Sequence, residues 1–355
     1  MNEKDNKFEE SAIFIGWYEK NMRKLPWREV KDPYLVWISE IILQQTRVVQ
    51  GMKYYQRFVK RFPEARILAN ADEEEVLKYW QGLGYYSRAR NLHEAAKEIM
   101  TRFDGRFPQK YEDILSLKGA GHYTAAAIAS IVWNQPCPVV DGNVFRVLGR
   151  LFAVETPIDT AEGKKLYGEL ARRIMNPAQA GLHNQAVMEF GALQCVPQNP
   201  DCSRCPMQNR CSGYANPQQF PVKRRKTATR DRYFHFLYII YNNVYTYLHR
   251  RDGKDIWRGL FEFPMIETAH PADFAELTQL TEFKKLFPAD GQYVFTRDKA
   301  NVKHVLTHQV LYATFYRVEI RTENEALKEY IRIPLQALDG YPVPALIHRY
   351  LSNKI

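Results

Sequence analysis

The first part of the chain has the hydrophobic periodicity of helices. Over residues 8–213, apolar side chains recur every three or four positions, the spacing that places them on one helix face. Short stretches with Gly, Pro and Asp separate these segments, as helix-to-helix connections require. The segments predicted to be helical are 12–18, 35–49, 54–62, 74–80, 89–103, 125–133 and 145–151.

The pattern changes after residue 213. Residues 214–232 are polar and basic and contain the run Lys223-Arg224-Arg225-Lys226, which is typical of a linker. Beyond it, two segments alternate and are rich in aromatic and β-branched residues, which predicts strands at 233–247 and 305–320. Two others begin with proline and look helical, at 271–286 and 344–352. The fold class is therefore a mostly α domain (8–213), a linker (214–232) and an α+β domain (233–355).

Charge and composition narrow the partners. No apolar run is close to the length of a membrane span, which takes about 20 residues. The polar start resembles neither a secretory signal nor a transit peptide. We therefore expect a cytoplasmic protein. The formal net charge of +10 favours a polyanion, because neutralising phosphates releases counterions. A merely solubilising surface would give the same composition.

Two glycines mark a tight turn between helices. Gly119 and Gly121 lie just before the helical segment at 125–133. Glycine allows positive φ and close backbone approach, and the free N–H groups at a helix start bind anions. This arrangement is typical of a helix–hairpin–helix, which holds the DNA backbone without reading sequence. An ordinary αα-hairpin is the alternative.

Two carboxylates occupy different sequence environments. Asp141 follows an extended stretch and, like Asn143, stands where a helix N-cap belongs, so the helix dipole should hold it ionised. Glu40 lies in a strongly apolar helix, where a carboxyl should have a raised pKa and donate a proton near neutrality. The alternatives are that Asp141 is only a cap and that Glu40 lies on a solvated stripe. Paired acids of this kind suit glycosidic cleavage through an oxocarbenium ion.

Four of the five cysteines are close in sequence. Cys195, Cys202, Cys205 and Cys211 are separated by six, two and five residues. Disulfides are disfavoured in a reducing cytosol, and four thiolates can hold zinc or a [4Fe–4S] cluster. Structural zinc usually pairs its ligands in two short knuckles, and only Cys202 and Cys205 are so paired. The spacing therefore favours the cluster.

These motifs together resemble the endonuclease III superfamily of helix–hairpin–helix DNA glycosylases. Residues 8–232 are similar to its adenine glycosylase (MutY) branch, which removes adenine mispaired with 8-oxoguanine or guanine. The matching stretches are 25–28, 37–48, 82–92, the hairpin, residues 140–144 and the cysteine loop. The resemblance implies a monomer that binds duplex DNA, flips adenine out of it and carries a [4Fe–4S] cluster.

The resemblance also implies roles for residues in the helical domain. Glu40 would protonate adenine at N7, Asp141 would stabilise the oxocarbenium ion, Asn143 would orient Asp141, and Tyr123 would support the centre. Strand-nicking relatives have a lysine nucleophile where this chain has Tyr123, so we expect base removal without efficient β-elimination. The expected DNA-contacting residues are Trp27 and Arg28 in the adenine pocket, the wedge Leu43, Gln44, Gln45 and Thr46, with Gln45 intercalating, and Leu83 and Tyr85 opposite it.

The second domain resembles the Nudix-like domain that recognises 8-oxoguanine in this family. The family usually has Phe-Ser-His where this chain has Leu306-Thr307-His308, so the hydroxyl and imidazole of Thr307 and His308 remain while the aromatic ring is lost. The Arg-Glu and Glu-Glu cluster of a Nudix pyrophosphatase is missing from 271–276, so that activity is not expected. His308 packing and capping a strand is the alternative.

Two other functions compete with adenine removal. One is an endonuclease III-like glycosylase and AP lyase acting on pyrimidines, against which Tyr123 and the second domain count. The other is a non-catalytic iron–sulfur DNA-binding protein, which would need neither Glu40 nor Asp141.

Overall fold

The computed structural model describes residues 8–224 and 228–352. It divides into two compact units. The first comprises the described residues of Met1–Asn70 and Asn91–Arg225, and the second those of Ala71–Arg90 and Lys226–Ile355. The polar start at 1–7 and Arg225 and Lys226 of the basic run lie outside the described residues. Within those residues, no helix combines the length and apolar character needed to cross a bilayer.

The first unit is helical, as predicted. Its core forms where α11 (Ala180–Leu193) packs against α1 (Glu9–Asn21), α8 (His122–Trp133) and α9 (Gly142–Leu151). This core contains the fully buried Phe14, Leu148 and Phe190. The helices of the N-terminal part of the chain are α1 Glu9–Asn21, α2 Pro33–Leu43, α3 Val48–Arg61, α4 Ala65–Ala69, α5 Glu73–Trp80, α6 Ser87–Arg102, α7 Tyr111–Leu115, α8 His122–Trp133, α9 Gly142–Leu151, α10 Ala161–Ile174 and α11 Ala180–Leu193. Of these, α5 and the start of α6 belong to the second unit.

One predicted helix is broken. Residues 35–49 were expected to be continuous, but α2 ends at Leu43 and α3 begins at Val48. Between them, Gln45 has φ +60°, a left-handed conformation. The absence of a side chain at Gly51 allows the two helices to approach, because a Cβ there would lie 2.8 Å from a Leu43 methyl carbon. The apolar periodicity continues across the break and therefore hides it.

The second unit contains a mixed seven-stranded sheet. Its main path runs through β3 (Phe261–Glu262), β2 (Tyr245–Arg250), β1 (Arg230–Tyr241), β6 (Gln309–Ile320) and β5 (Tyr293–Val305). Strands β1 and β6 pair in parallel, and the other pairs are antiparallel. This confirms the α+β class. The elements are β1 Arg230–Tyr241, β2 Tyr245–Arg250, β3 Phe261–Glu262, β4 Met265–Thr268, α12 Phe274–Gln279, α13 Thr281–Leu286, β5 Tyr293–Val305, β6 Gln309–Ile320, β7 Ile331–Pro334 and α14 Ala345–Ser352.

Three predicted elements of this unit were wrong in extent. The segment 233–247 is interrupted at Asn242 and Asn243, which have φ of 51° and 57° and form the turn between β1 and β2. The segment 305–320 begins with the turn 306–308 that joins β5 to β6. The segment 271–286 forms two short helices, and a capping box at Asp273 begins the first of them instead of Pro271.

Candidate active site and DNA-contacting residues

Glu40 is buried and bound to Tyr123. Helix α2 is buried continuously from Val36 to Ile42, and the Glu40 residue is 7% exposed. The phenol of Tyr123 on α8 donates a hydrogen bond to Glu40 Oε2 at 2.5 Å. Burial raises the pKa of Glu40 to about 7, with the negative charge of Asp141 adding to the rise and the Tyr123 bond and Arg28 opposing it. The alternative of a solvated stripe is therefore wrong.

Asp141 is the N-cap of α9, and both of its oxygens accept hydrogen bonds. Oδ1 accepts from the Val144 N–H at 2.7 Å, and Oδ2 accepts from the Asn143 amide at 2.9 Å. Burial raises its pKa above the ordinary value, although these bonds and the charge of Arg146 oppose the rise. The expectation that the helix start alone sets the charge state was thus incomplete, because desolvation acts in the other direction.

The two acids line one pocket. It encloses about 1070 Å³, and both Glu40 and Asp141 face it. The other predicted residues that line it are Trp27, Arg28, Leu43, Thr46, Tyr123 and Asn143. The geometry therefore brings a raised-pKa acid and an oriented carboxylate to a single cavity, as cleavage of a bond between a base and a sugar requires.

Glu189 organises the adenine-pocket candidates and was missed by sequence reasoning. Its buried carboxylate accepts hydrogen bonds from Arg28 at 2.9 and 2.5 Å and from Arg23 at 2.8 and 2.6 Å. Although burial raises the pKa of Glu189, these bonds lower it to about 2. Trp27 is 7% exposed and meets the Tyr55 ring edge-on. The available signal was an acid within the apolar helix of residues 180–193, the same signal that identified Glu40.

Arg146 connects the Asp141 side of the pocket to the cysteine loop and was also missed. It donates to the Asn143 amide oxygen at 2.8 Å, to the Gly191 carbonyl at 2.6 Å and to the Cys195 carbonyl at 2.8 Å. Asn143 in turn donates to Asp141. The orientation of Asp141 therefore depends on the backbone at the first cysteine. Its position three residues after Asn143 on α9 was the only sequence signal.

The predicted wedge occupies the break between α2 and α3. Gln45 is exposed in its left-handed conformation, while the Gln44 amide donates to Thr124 Oγ1 at 3.0 Å. Leu43 and Thr46 are half-buried. The loop thus presents Gln45 to solvent while Gln44 attaches the loop to α8.

The two glycines of the hairpin turn differ in conformation and surroundings. Gly119 has φ +77°, and a Cβ there would lie 2.6 Å from Asn91 Cβ. Gly121 is the N-cap of α8, with open space around its missing Cβ and no side-chain cap. The exposed turn therefore leaves the start of α8 accessible to a phosphate.

In the second unit, two candidates meet. The hydroxyls of Tyr85 and Thr307 are 3.0 Å apart, and both residues are exposed, as is His308. Thr307 and His308 lie in the turn between β5 and β6, in place of the predicted strand start. Leu83 is 8% exposed and is therefore part of the packed interior, in contrast to Tyr85, which is 49% exposed.

The four cysteines of the loop face one pocket. All five cysteines of the chain are described, and none forms a disulfide. The Cys211 sulfur lies 3.4 Å from the Arg150 carbonyl oxygen, to which its thiol donates, and the Cys195 sulfur lies 3.3 Å from Nη1 of Arg150. The four cysteines line the pocket together with Phe14, Val147, Arg150 and Phe190.

The cysteine loop offers an all-sulfur donor set. In the described ranges, no three His, Cys, Asp or Glu side chains converge on a point that could hold a single ion. Soft thiols around an apolar pocket, with a guanidinium N–H of Arg150 within hydrogen-bond distance of the Cys195 sulfur, are the kind of donors that an iron–sulfur cluster takes.

Comparisons with known proteins agree with both units. Residues 38–173 match the HhH-GPD superfamily of base excision DNA repair proteins, and residues 235–353 match the NUDIX domain. The chain is 39% identical over 254 residues to an adenine DNA glycosylase of Buchnera aphidicola, covering 70% of this chain and 72% of that protein. The human adenine DNA glycosylase is 43% identical over 207 residues, covering 56% of this chain and 38% of that protein. The structure of a thermostable thymine-DNA glycosylase matches with a TM-score of 0.55 and 28% identity, covering 60% of this chain and 99% of that one.

Proposed function

The chain belongs to the adenine DNA glycosylase family, and from that premise we propose that it hydrolyses the N-glycosidic bond of adenine mispaired with 8-oxoguanine or guanine in duplex DNA. The observation that carries the proposal is the single pocket shared by Glu40 and Asp141. A DNA-binding protein without enzymatic activity would not need a buried and a half-buried acid in one pocket, because withdrawing a carboxyl from water costs free energy of desolvation.

Glu40 supplies the proton in the proposed reaction. With a pKa near 7 it is about half protonated at neutral pH, which suits an acid that must donate to adenine N7 and then accept a proton from water. Protonation makes the base a better leaving group. The Tyr123 hydroxyl keeps the carboxyl oriented through its hydrogen bond to Oε2.

Asp141 stabilises the sugar cation that remains. Its oxygens are fixed by Val144 and Asn143, so the carboxylate needs little reorganisation as positive charge develops on the sugar. The same pocket contains Trp27 and Arg28, which we assign to the extruded adenine, the first by packing and the second by polar contact. Water enters from the Glu40 side and completes hydrolysis.

Extrusion of adenine requires residues that replace it in the base stack. We assign this to Gln45, which its left-handed backbone holds out into solvent, with Leu43, Gln44 and Thr46 supporting it. Gly119 and Gly121 hold a phosphate of the DNA at the start of α8. Because these contacts are to the backbone, they position the duplex without choosing a sequence.

The second unit recognises the 8-oxoguanine. Thr307 and Tyr85 offer two adjacent exposed hydroxyls, and His308 next to Thr307 offers an imidazole donor. An oxidised guanine differs from guanine at N7 and C8 by a hydrogen-bond donor and a carbonyl oxygen. Hydroxyls that both donate and accept can read this difference.

The cofactor is a [4Fe–4S] cluster on Cys195, Cys202, Cys205 and Cys211. When bound, it would serve as a structural element that supplies no open coordination position. Arg146 keeps the cysteine loop in register with Asn143. We propose further that the protein acts as a monomer in the cytoplasm or nucleoid of a bacterium. A broad visible absorbance with iron and sulfide stoichiometry supports the cluster, and zinc in its place refutes it.

One assay separates the candidate functions. A duplex with adenine opposite 8-oxoguanine is incubated with the protein and divided, and one half is heated in alkali. Strand breakage only after alkali supports a glycosylase that leaves an abasic site. Breakage without alkali supports an AP lyase, and no breakage at all supports a protein that only binds DNA.

A further inference from the structure

Arg150 is a buried cation inside the cysteine loop. It lies near the C-terminal end of α9 and is 2% exposed. Its guanidinium donates to the carbonyls of Pro217 at 2.8 Å, Val196 at 2.8 Å and Pro197 at 3.0 Å. Its Nη1 also lies 3.3 Å from the sulfur of Cys195, within hydrogen-bond distance for a sulfur acceptor.

No carboxylate balances this charge. Among residues 8–224 and 228–352, Arg150 forms no ion pair with Asp or Glu, in contrast to Arg23 and Arg28, which share Glu189. A buried guanidinium without an anion carries a large desolvation cost. A group that becomes anionic when it binds a metal lies within reach, because the Cys195 sulfur is 3.3 Å from Nη1 of Arg150.

The backbone of Arg150 reaches the other end of the loop. Its carbonyl accepts the Gly213 N–H at 2.8 Å, two residues after Cys211. A Cβ at Gly213 would lie 2.6 Å from this oxygen, so only glycine allows the approach. Arg150 therefore contacts the loop beside its first cysteine with the side chain and beside its last with the main chain.

We propose that Arg150 is the residue that positions Cys195 toward the cluster and raises the cluster's reduction potential. This inference rests on the proposed cluster. Four thiolates outweigh the positive charge of the iron–sulfur core, so the loaded site is anionic and is the counter-charge that the guanidinium lacks. Adding an electron makes the site more negative. A buried cation that hydrogen-bonds a ligand sulfur stabilises this reduced form more than the oxidised one.

The test compares the full-length wild type with Arg150→Lys and Arg150→Gln. Arg204→Gln is the matched control, because Arg204 is on the same loop with an 86% exposed side chain and pairs with Asp201. Iron and sulfide are determined first, and the midpoint potential of the bound cluster is then measured by voltammetry. We expect Arg150→Gln to lower the potential, Arg150→Lys to lower it less, and Arg204→Gln to leave it at the wild-type value.

Three results would overturn the inference. Iron-loaded Arg150 variants with the wild-type potential would show that the guanidinium does not act on the cluster. Loss of iron from both variants would reduce Arg150 to a structural residue of the loop. Wild type without iron would refute the cluster itself and leave the glycosylase activity to be decided by the strand-breakage assay. A fourth result would support the inference: iron is lost from Arg150→Gln alone, and the cluster of Arg150→Lys has a lowered potential.

Discussion

The phenolic oxygen of Tyr123 lies 2.5 Å from Oε2 of Glu40, joining the hairpin helix to the helix that carries the buried acid. The hydrogen bond stabilises the carboxylate and lowers the pKa of Glu40, while burial and Asp141 raise it to about 7. The pKa of Glu40 is therefore lowered by a residue of the DNA-binding motif. Its two protonation states remain close in free energy at neutral pH.

Replacing Glu40 by Gln should stabilise the protein at alkaline pH. The folded pKa of about 7 exceeds the ordinary 4.5, so the stabilising effect of protonated Glu40 is fully present below pH 4.5 and is lost as the pH rises to 7. From about pH 5 to about pH 8, the variant should gain as much as about 3 kcal/mol in unfolding free energy over wild type. Urea unfolding of wild type and variant at both pH values measures this gain. If the difference in unfolding free energy between the two proteins is the same at both pH values, the raised pKa of Glu40 is contradicted.

Tyr123→Phe should move the pH dependence of excision. The variant lacks the hydroxyl that lowers the pKa of Glu40, so the carboxyl should stay protonated to higher pH. Single-turnover rates from about pH 6 to about pH 9 should show the alkaline decline at a higher pH than in wild type. Tyr111→Phe removes a hydroxyl bound to His122 in the same hairpin and is the control. If the alkaline decline of Tyr123→Phe occurs at the same pH as that of wild type, the Tyr123 hydroxyl does not lower the pKa of Glu40.

Arg146→Lys should impair catalysis without impairing DNA binding. Lysine keeps the charge but cannot hold Asn143, Gly191 and the Cys195 carbonyl together in the fixed geometry of guanidinium. We expect a loss of about tenfold or more in single-turnover excision, typical of residues that orient a catalytic group. Arg172→Lys, on the exposed side of α10, should behave as wild type. Equal losses in binding and excision would mean that Arg146 acts on the DNA itself.

Thr307→Val should narrow the preference for 8-oxoguanine over guanine opposite adenine. The side chain keeps its shape but loses the hydroxyl that meets Tyr85. One lost hydrogen bond corresponds to roughly 1 kcal/mol, or about fivefold in the ratio of excision rates. Tyr85→Phe should act on the same ratio, and the double variant should fall short of additivity because the two hydroxyls interact. Thr296→Val, an exposed position on β5, is the control, and an unaltered ratio would exclude Thr307 from recognition.

The sequence predicted what local chemistry dictates. Asp141 was expected as a cap and Glu40 as an acid among apolar residues, and the structure confirms both of these local features. Of the two hairpin glycines, Gly119 has the positive φ that glycine allows, whereas Gly121 has φ −90°. Each depends on neighbours within one or two helical turns. The helical and α+β classes were predicted correctly for the same reason.

Features that depend on distant residues were not predictable. Glu189 meets Arg28 although the two are 161 residues apart in the chain, and Arg146 meets the Cys195 carbonyl only because α9 packs beside α11. The break at Gln45 was missed because both helices continue the same apolar periodicity. The resemblance also implied a DNA contact for Leu83 beside Tyr85, whereas the Leu83 residue is only 8% exposed.

The most direct test of the account is single-turnover excision of adenine opposite 8-oxoguanine by Glu40→Gln, measured beside its affinity for the same duplex. Glutamine fills the same buried position but cannot donate the proton to adenine N7. We predict wild-type affinity with no alkali-sensitive product, restored neither by lower pH nor by longer incubation. Excision at the wild-type rate by a variant that binds normally would contradict the central role of Glu40.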